Sequence, residues 1–520
     1  MNIVSEWWKK AETEEKIIQL LVVFLTVSIA LDRTAAVSIS TGAALIYIIR
    51  DCIKRKSLAG FYSPMRNWLG IAIFLLAVLA ASVFLGDMGS IHMALKYIYW
   101  ALPFFLMVYF NKRTDVKYAV VAGMVLSVMI SSGNVIYQYL QGVKFIGGRI
   151  GAFSANPNNY AFLLCGILPI LICALSDTKV RENKSVWFVN IVSIAVGLFS
   201  LWKTGSRGGM GGFFLGAFFI LLLWSYLHKS VKVFFTGVFL CAAVIAVFLV
   251  AGIQGGMERS GDRVRQRQLQ SCYAMWNDHK LLGVGLNNWK TQYSTVYLQT
   301  EAIKKDALRW YEELKAARKK AAEKAAAAKK AATQKAAKQK AVQQKANQKP
   351  VQPKALQKPA VNQGSVNKPV VQKPKPQMTA EQKAVAAKKA AAAKKAAAEK
   401  AAKQEAARKA AFQNYAVKHE ASFHIPHNVM AWFFSTTGIV GGIGYIFFVC
   451  YYLWRLYQKV KEEPENWVAF AGFWFFITTN FHGLFDNTIT YKGAARLLYL
   501  LLGLALSYNQ YKKAKDLQEN

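Results

Sequence analysis

The sequence predicts an all-α polytopic membrane protein with about twelve transmembrane helices and one large hydrophilic insertion. Three observations carry that reading. Long apolar runs fill residues 17–253 and 428–509 of the 520, and 54% of all residues are hydrophobic. Basic residues recur in alternate short connections between these runs. A Lys/Ala-rich tract at 301–420 holds 30 Lys+Arg against 9 Asp+Glu, more than half of the net charge of +38. A nucleic-acid-binding domain would instead set its basic residues on one folded face, so no nucleic-acid partner is expected.

A hydrocarbon core about 30 Å thick needs roughly 20 apolar residues per helix. Twelve stretches meet that ruler, at 17–31, 35–49, 68–85, 92–110, 116–140, 159–175, 185–202, 209–227, 232–253, 428–455, 467–483 and 494–509. The first two are short and separated only by Asp32-Arg33-Thr34, which suits a tight hairpin or a re-entrant pair. The chain thus divides into an N-terminal membrane region of about nine spans (1–253), an external loop (254–300), the insert (301–420) and a C-terminal region of about three spans (421–520). Positive charge gathers in every second connection: Arg50–Arg66, Lys112–Lys117, Lys179–Lys184, His228–Lys232, Lys459–Lys461 and Lys512–Lys515. Positive loops stay cytoplasmic, so both termini are expected there and the long loop between spans nine and ten outside. The first apolar run lacks a small-residue cleavage site, and no cleavable signal peptide is expected.

The insert consists of two Ala/Lys/Gln/Glu-rich segments, 301–348 and 378–418, made of the strongest helix formers. Without a broad apolar stripe, each is a solvated helical arm. The Pro-rich linker near 349–377 joins them. Such an arm is either a low-complexity expansion or a polycation that meets anionic envelope polymers or lipid headgroups. Of the six cysteines, Cys165, Cys173, Cys241 and Cys450 lie in apolar runs, where a thiol behaves as a small hydrophobe. No disulfide framework or CxxC metal site is implied.

Four polar clusters mark external ends of spans. In Gly147–Asn159, Asn156 is a good N-cap, Pro157 suits the first helical position, and Arg149 can pair with a phosphate. In Thr204-Gly205-Ser206-Arg207, either hydroxyl can cap the next span, and Arg207 sits at the membrane boundary. Met257–Lys280 reads as an interfacial amphipathic helix bearing Arg259, Arg263, Arg265 and Arg267, with Arg263 and Arg267 on one face and Arg265 on another. In Phe423–Asn428, Pro426 marks a first helical turn and puts His427 near a helix N-terminus, which keeps imidazole neutral and able to accept a proton. His424 and His427 alone make a weak metal signal. Ordinary capped helix starts and snorkelling arginines explain each cluster singly. Together, helix N-termini and guanidiniums favour an anion. A lipid-linked diphosphate sugar fits such a surface.

The same residues resemble the O-antigen ligase/polymerase superfamily of bacterial envelope proteins. Arg149-Ile150-Gly151 with Asn156-Pro157-Asn158 is similar to its Arg…Gly…Asn-Pro-Asn segment, and Thr204-Gly205-Ser206-Arg207-Gly208 to its Thr-x-Ser-Arg-Gly helix start. Arg265 precedes Leu281-Leu282-Gly283-Val284-Gly285 as its external-loop arginine precedes a Leu-Leu-Gly-Val-Gly turn. His427-Asn428, nine residues before Gly438-Ile439-Val440-Gly441, resembles the ligase-type His motif, and His482–Asp486 the closing segment. The Lys/Ala insert and Lys280, where the family often has Pro, are departures.

The resemblance implies transfer of a glycan from undecaprenyl diphosphate to an acceptor hydroxyl at the periplasmic face of the inner membrane. The acceptor is lipid or protein. His427 would be the catalytic base, and Arg149, Arg207 and Arg265 would bind the diphosphate. Asn156, Asn158, Ser206, Asn428 and Asp486 would support them, with Asp486 orienting His427 or an arginine. Inversion at the anomeric carbon is implied, with no cofactor or metal. The His427-Asn428 pattern favours ligase over repeat-unit polymerase and leaves protein O-oligosaccharyltransferase open. A transporter of lipid-linked glycan would show internal repeats and mid-span charges, and few are evident. A structural envelope tether using the cationic arm is a third class.

Overall fold

The computed structural model describes residues 12–57, 64–142, 149–154, 156–239, 242, 260–297 and 425–507, with scattered positions of 301–420. Every regular element among them is an α-helix. The chain divides into two compact units, one of residues 1–300 with 421–520 and one of 301–420. In the second unit the described residues, such as Arg309, Lys319 and Lys389, are helical and exposed. The 349–377 linker, His424, Arg259 and the C-terminal lysines lie outside the described residues.

The first unit opens with α1 (Thr13–Ala30) and α2 (Thr34–Arg55), two complete helices joined at Asp32, whose φ is 52°. The pair is therefore a tight helical hairpin. Then come α3 (Met65–Leu85), α4 (Met88–Trp100), α5 (Leu102–Arg113), α6 (Lys117–Leu140), α7 (Pro157–Ala174), the short α8 (Thr178–Glu182), α9 (Lys184–Thr204) and α10 (Arg207–Leu227). After them follow α11 (Ser260–Asp278), α12 (Trp289–Thr295), α13 (Val429–Glu462), α14 (Trp467–Gly483) and α15 (Lys492–Ser507).

Among the described residues, eight helices are long and apolar enough to cross a membrane, α4 and α5 counting together as Met88–Arg113. Leu20, Ile46, Phe84, Tyr137, Phe188 and Tyr226 lie exposed on the bundle, an apolar belt too large for a water-facing surface. The protein is a helical membrane protein. The other stretches of the twelve are not among these eight. Glu14, Glu15 and Lys16 charge the first turn of α1. Helix α14 is 17 residues long, and α15 is described only as far as Ser507. Residues 231–239 are helical, but most of the ninth candidate lies outside the described residues.

The centre of the bundle is formed where helices are apolar on every side. Helix α15 buries every residue from Gly493 to Ser507, and α7 is nearly as enclosed. Helix α10 joins this centre through Gly208, Gly212 and Gly216. A methyl at these positions would come within 2.9 Å of His482 Cδ2, 2.8 Å of the Thr478 carbonyl and 2.5 Å of Trp474 Cδ1. Small residues four apart let two helices close together where lipid offers no hydrophobic drive.

Helix α13 is broken ten residues from its start. Gly438 takes φ 61°, ψ −156°, a conformation side chains resist. The groups freed there pair with the turn carrying Gly283 and Gly285. Val284 N donates to Ser435 O at 2.9 Å, Gly285 N to Thr436 O at 2.9 Å, and Ile439 N to Lys280 O at 2.8 Å. Gly283, at φ 68°, is crossed so closely by the Thr436–Gly438 backbone that a methyl has no room. Irregular backbone at membrane depth is tolerated where protein satisfies it, as here.

The Arg-bearing helix α11 packs Val264, Gln268, Ser271, Cys272 and Met275 inward. Trp276 meets Phe434 of α13 edge-on at 5.6 Å, and Trp289 of α12 donates to Cys272 Sγ at 3.3 Å. Leu269 and Tyr273 of the same helix stay exposed. The arginine it buries is Arg267, 1% exposed, while Arg265 is partly exposed.

Candidate functional site

Three helix starts meet at one end of the bundle. Asn156 is extended at φ −130°, and its side-chain oxygen accepts from Asn158 N at 2.9 Å, with Pro157 opening α7. Ser206 Oγ accepts from Gly209 N at 3.3 Å and caps α10, while Thr204 Oγ1 turns back to Leu201 O. Asn428 accepts from Ala431 N at 2.8 Å and donates to Leu484 O at 3.0 Å, so it, not Pro426, sets the start of α13. Pro426 stands before the helix, because the Asn side chain takes the orphan N–H first. Each start turns the positive end of its dipole toward the same region.

A continuous run of hydrogen bonds links the predicted residues there. Arg149 Nε donates to the carbonyl of Thr204, the last residue of α9, at 2.6 Å. Arg149 Nη2 donates to Asn158 Oδ1, and Asn158 Nδ2 donates to Asp486 Oδ2. Asp486 Oδ1 lies 2.9 Å from His427 Nδ1. A carboxylate on Nδ1 holds that proton and leaves Nε2 as the acceptor. The His427 side chain is 20% exposed, so the ring can be reached. Burial pushes the Asp486 carboxyl upward, but the His427 hydrogen bond and the charges of His427, His482 and Arg265 outweigh it. They hold the group well below the usual carboxylate range.

His482 belongs to this site, although it was legible only as part of a motif. It is 2% exposed, its Nε2 lies 3.4 Å from Ser206 Oγ, and its ring stacks on Phe162 at 6.2 Å. The spacing could have found it, because His482 stands four residues before Asp486, whose N–H bonds to its carbonyl at 2.9 Å. His482 lines a small pocket with Asn158, Asp486, Asn487 and Tyr491. His482 Nδ1 and both polar side-chain atoms of Asn487 have no hydrogen-bond partner among the described residues.

Direct contact therefore gathers Arg149, Asn158, Ser206, His482, Asp486, His427 and Asn428, with Asn156 as the cap beneath them. Arg207 is exposed at the first position of α10, beside the Gly208 that abuts His482. Arg265 sits near enough for its charge to act on both Asp486 and His482. Among the described residues, no group of three or more His, Cys, Asp or Glu gathers as a metal site would need. What fold and site define is a helical membrane protein with a hydrogen-bonded Arg–Asn–Asp–His chain at one end of its bundle. No protein-family model and no curated protein matches the chain.

Proposed function

We propose that the protein is an O-antigen ligase-like glycosyltransferase of the bacterial inner membrane. It has about twelve spans and cytoplasmic termini, and a periplasmic loop between spans nine and ten carries the Lys/Ala arms. It moves a glycan from undecaprenyl diphosphate to a hydroxyl on a lipid or protein acceptor. The observation that carries this reading is the Arg149–Asn158–Asp486–His427 hydrogen-bond chain, set among three helix N-termini. The distribution of charge supports the orientation. Arg113, Lys117, Lys179 and Lys459 all fall at the opposite end from His427. That is the end positive residues keep cytoplasmic.

In the reaction, His427 Nε2 takes the proton of the acceptor hydroxyl. The oxygen attacks the anomeric carbon as the bond to the diphosphate breaks. The diphosphate leaves with the electron pair, stabilised by Arg149, Arg207 and Arg265. In-line displacement inverts that carbon. Asp486 holds the tautomer and balances the imidazolium. The His427-Asn428 pattern favours ligase over repeat-unit polymerase, and protein O-oligosaccharyltransferase shares the same chemistry. A transporter reading draws on the broken helix α13, since such breaks often cradle substrates. Here residues 280–285 occupy the freed groups, which favours the enzyme.

His427→Ala is expected to reduce transfer by roughly 10²–10⁴-fold while the protein still inserts, assayed with glycan-charged membranes. Activity retained in a well-inserted variant removes the base. Glycan profiling of lipid and protein fractions from a knockout strain identifies the acceptor.

A further inference from the structure

Asn158 stands between the two halves of the site. It is 7% exposed, and both ends of its amide are used. Its oxygen accepts from Arg149 Nη2 and its nitrogen donates to Asp486 Oδ2. The backbone fixes this posture. Asn158 N is held by the Asn156 cap at 2.9 Å, so the residue sits in the first turn of α7 with little freedom. An amide whose oxygen binds a cation becomes a better donor at its nitrogen, because neighbouring hydrogen bonds polarise one another. Drawing charge from Asp486 weakens what Asp486 offers to His427 Nδ1.

We propose that Asn158 is a positioning residue that couples anion binding at Arg149 to the proton affinity of His427. The proposal rests on the diphosphate reading above and adds an order of events to it. With no anion bound, Arg149 polarises Asn158, Asp486 is drained, and His427 is a weaker base. When a diphosphate takes up the Arg149 guanidinium, Asn158 donates less strongly. Asp486 then regains charge, and His427 becomes the stronger base when the donor is in place. Among the described residues, His427, His482 and Arg265 act by charge on Asp486, and Arg149 and Arg265 on His482, with Arg207 beside them. Of these, only Arg149 reaches Asp486 through an amide. A water molecule activated before the donor arrives would gain nothing, so the coupling also favours ordered binding.

The test uses the full chain in nanodiscs with labelled histidine, inorganic pyrophosphate as the probe, and a His427→Gln sample to assign the resonance. In the wild type, saturating pyrophosphate is expected to raise the His427 titration midpoint by about one pH unit and to move the Nδ1–H resonance. In Asn158→Leu, pyrophosphate should still bind, with at most about half of that rise remaining as direct through-space attraction. Asn158→Ser, too short to bridge, serves the same comparison if the leucine variant inserts poorly. Equal rises in wild type and variants sink the coupling and leave the diphosphate reading standing. Failure of pyrophosphate to bind the wild type overturns both.

Discussion

The two ends of the helical bundle handle charge differently. At the end where α2 and α5 finish and α6 and α14 begin, carboxylates sit directly against cations. Asp51 lies 2.7 Å from Arg55 and 2.9 Å from Arg113, and it also takes the Tyr109 hydroxyl. Asp177 lies 3.3 Å from Lys117 and accepts from Trp467 Nε1 at 2.9 Å. Glu463 is 2.6 Å from Lys459. At the other end, Arg149 donates to neutral oxygens, and Asp486 meets an amide and an imidazole. Closed ion pairs fasten helices together. A cation and an anion separated by a neutral amide stay compensated, yet each can still respond to a charged ligand. The first end is built for cohesion and the second for exchange.

Matched substitutions at the two ends give the largest contrast. Asp486→Asn should lower transfer by roughly 10²–10⁴-fold, since His427 loses both its orientation and the charge that balances imidazolium. Its melting temperature should fall as well, because folding favours the buried Asp486 carboxylate. Asp51→Asn should lower the melting temperature alone. It takes the carboxylate from Arg113 but leaves Arg55 its Glu14, and lowers melting by a few degrees with transfer per folded molecule unchanged. Thermal melts in detergent beside an activity assay read both. Equal effects on melting and transfer at the two ends would erase the distinction.

How far the sequence foretold this contrast depends on range. Helix caps are local, so Asn156-Pro157, Ser206 and Asn428 could be read from their neighbours, and basic loops could be counted. Asn158 sits 328 residues from Asp486, and no local pattern shows that its amide joins the arginine to the carboxylate. The meeting of the Gly283 turn with the break at Gly438 was equally hidden, although both glycine motifs were visible. Periodicity gave α11 an amphipathic face, but it could not show that Trp276 and Cys272 meet α13 and α12. Arg265 was chosen by motif spacing, while burial selects Arg267.

Gly438→Ala probes how the exchanging end is held. It adds a methyl into the Leu281 carbonyl and demands φ 61° of an L-residue. Strain of about 1–3 kcal/mol from the dihedral alone, with the collision added, should loosen the 280–285 turn. The Arg265 helix should shift with it. Lower melting temperature and lower transfer are expected together, unlike Asp51→Asn. An unchanged melt would mean that the turn does not pin this end.

The smallest effect is a pH dependence at Asp32, in the α1–α2 turn. Burial raises its carboxyl to about 6, and the nearby charges of Lys492, Arg496 and Arg33 pull it back only in part. Tyr491 donates to one oxygen, and the other has no hydrogen-bond partner among the described residues. A carboxyl raised on folding holds its proton more tightly in the native state. Its stabilising contribution is fully present below the unfolded value near 4 and is lost as pH rises through about 6. Asp486 has the opposite sign, since its contribution is kept as pH falls until the acid reaches its depressed value. Melts from pH 4 to 7 should therefore show a decline of a few degrees in the wild type that Asp32→Asn flattens. A decline that survives in Asp32→Asn assigns the titration to another group and leaves Asp32 ionised against its cations, as the carboxylates of the opposite end are.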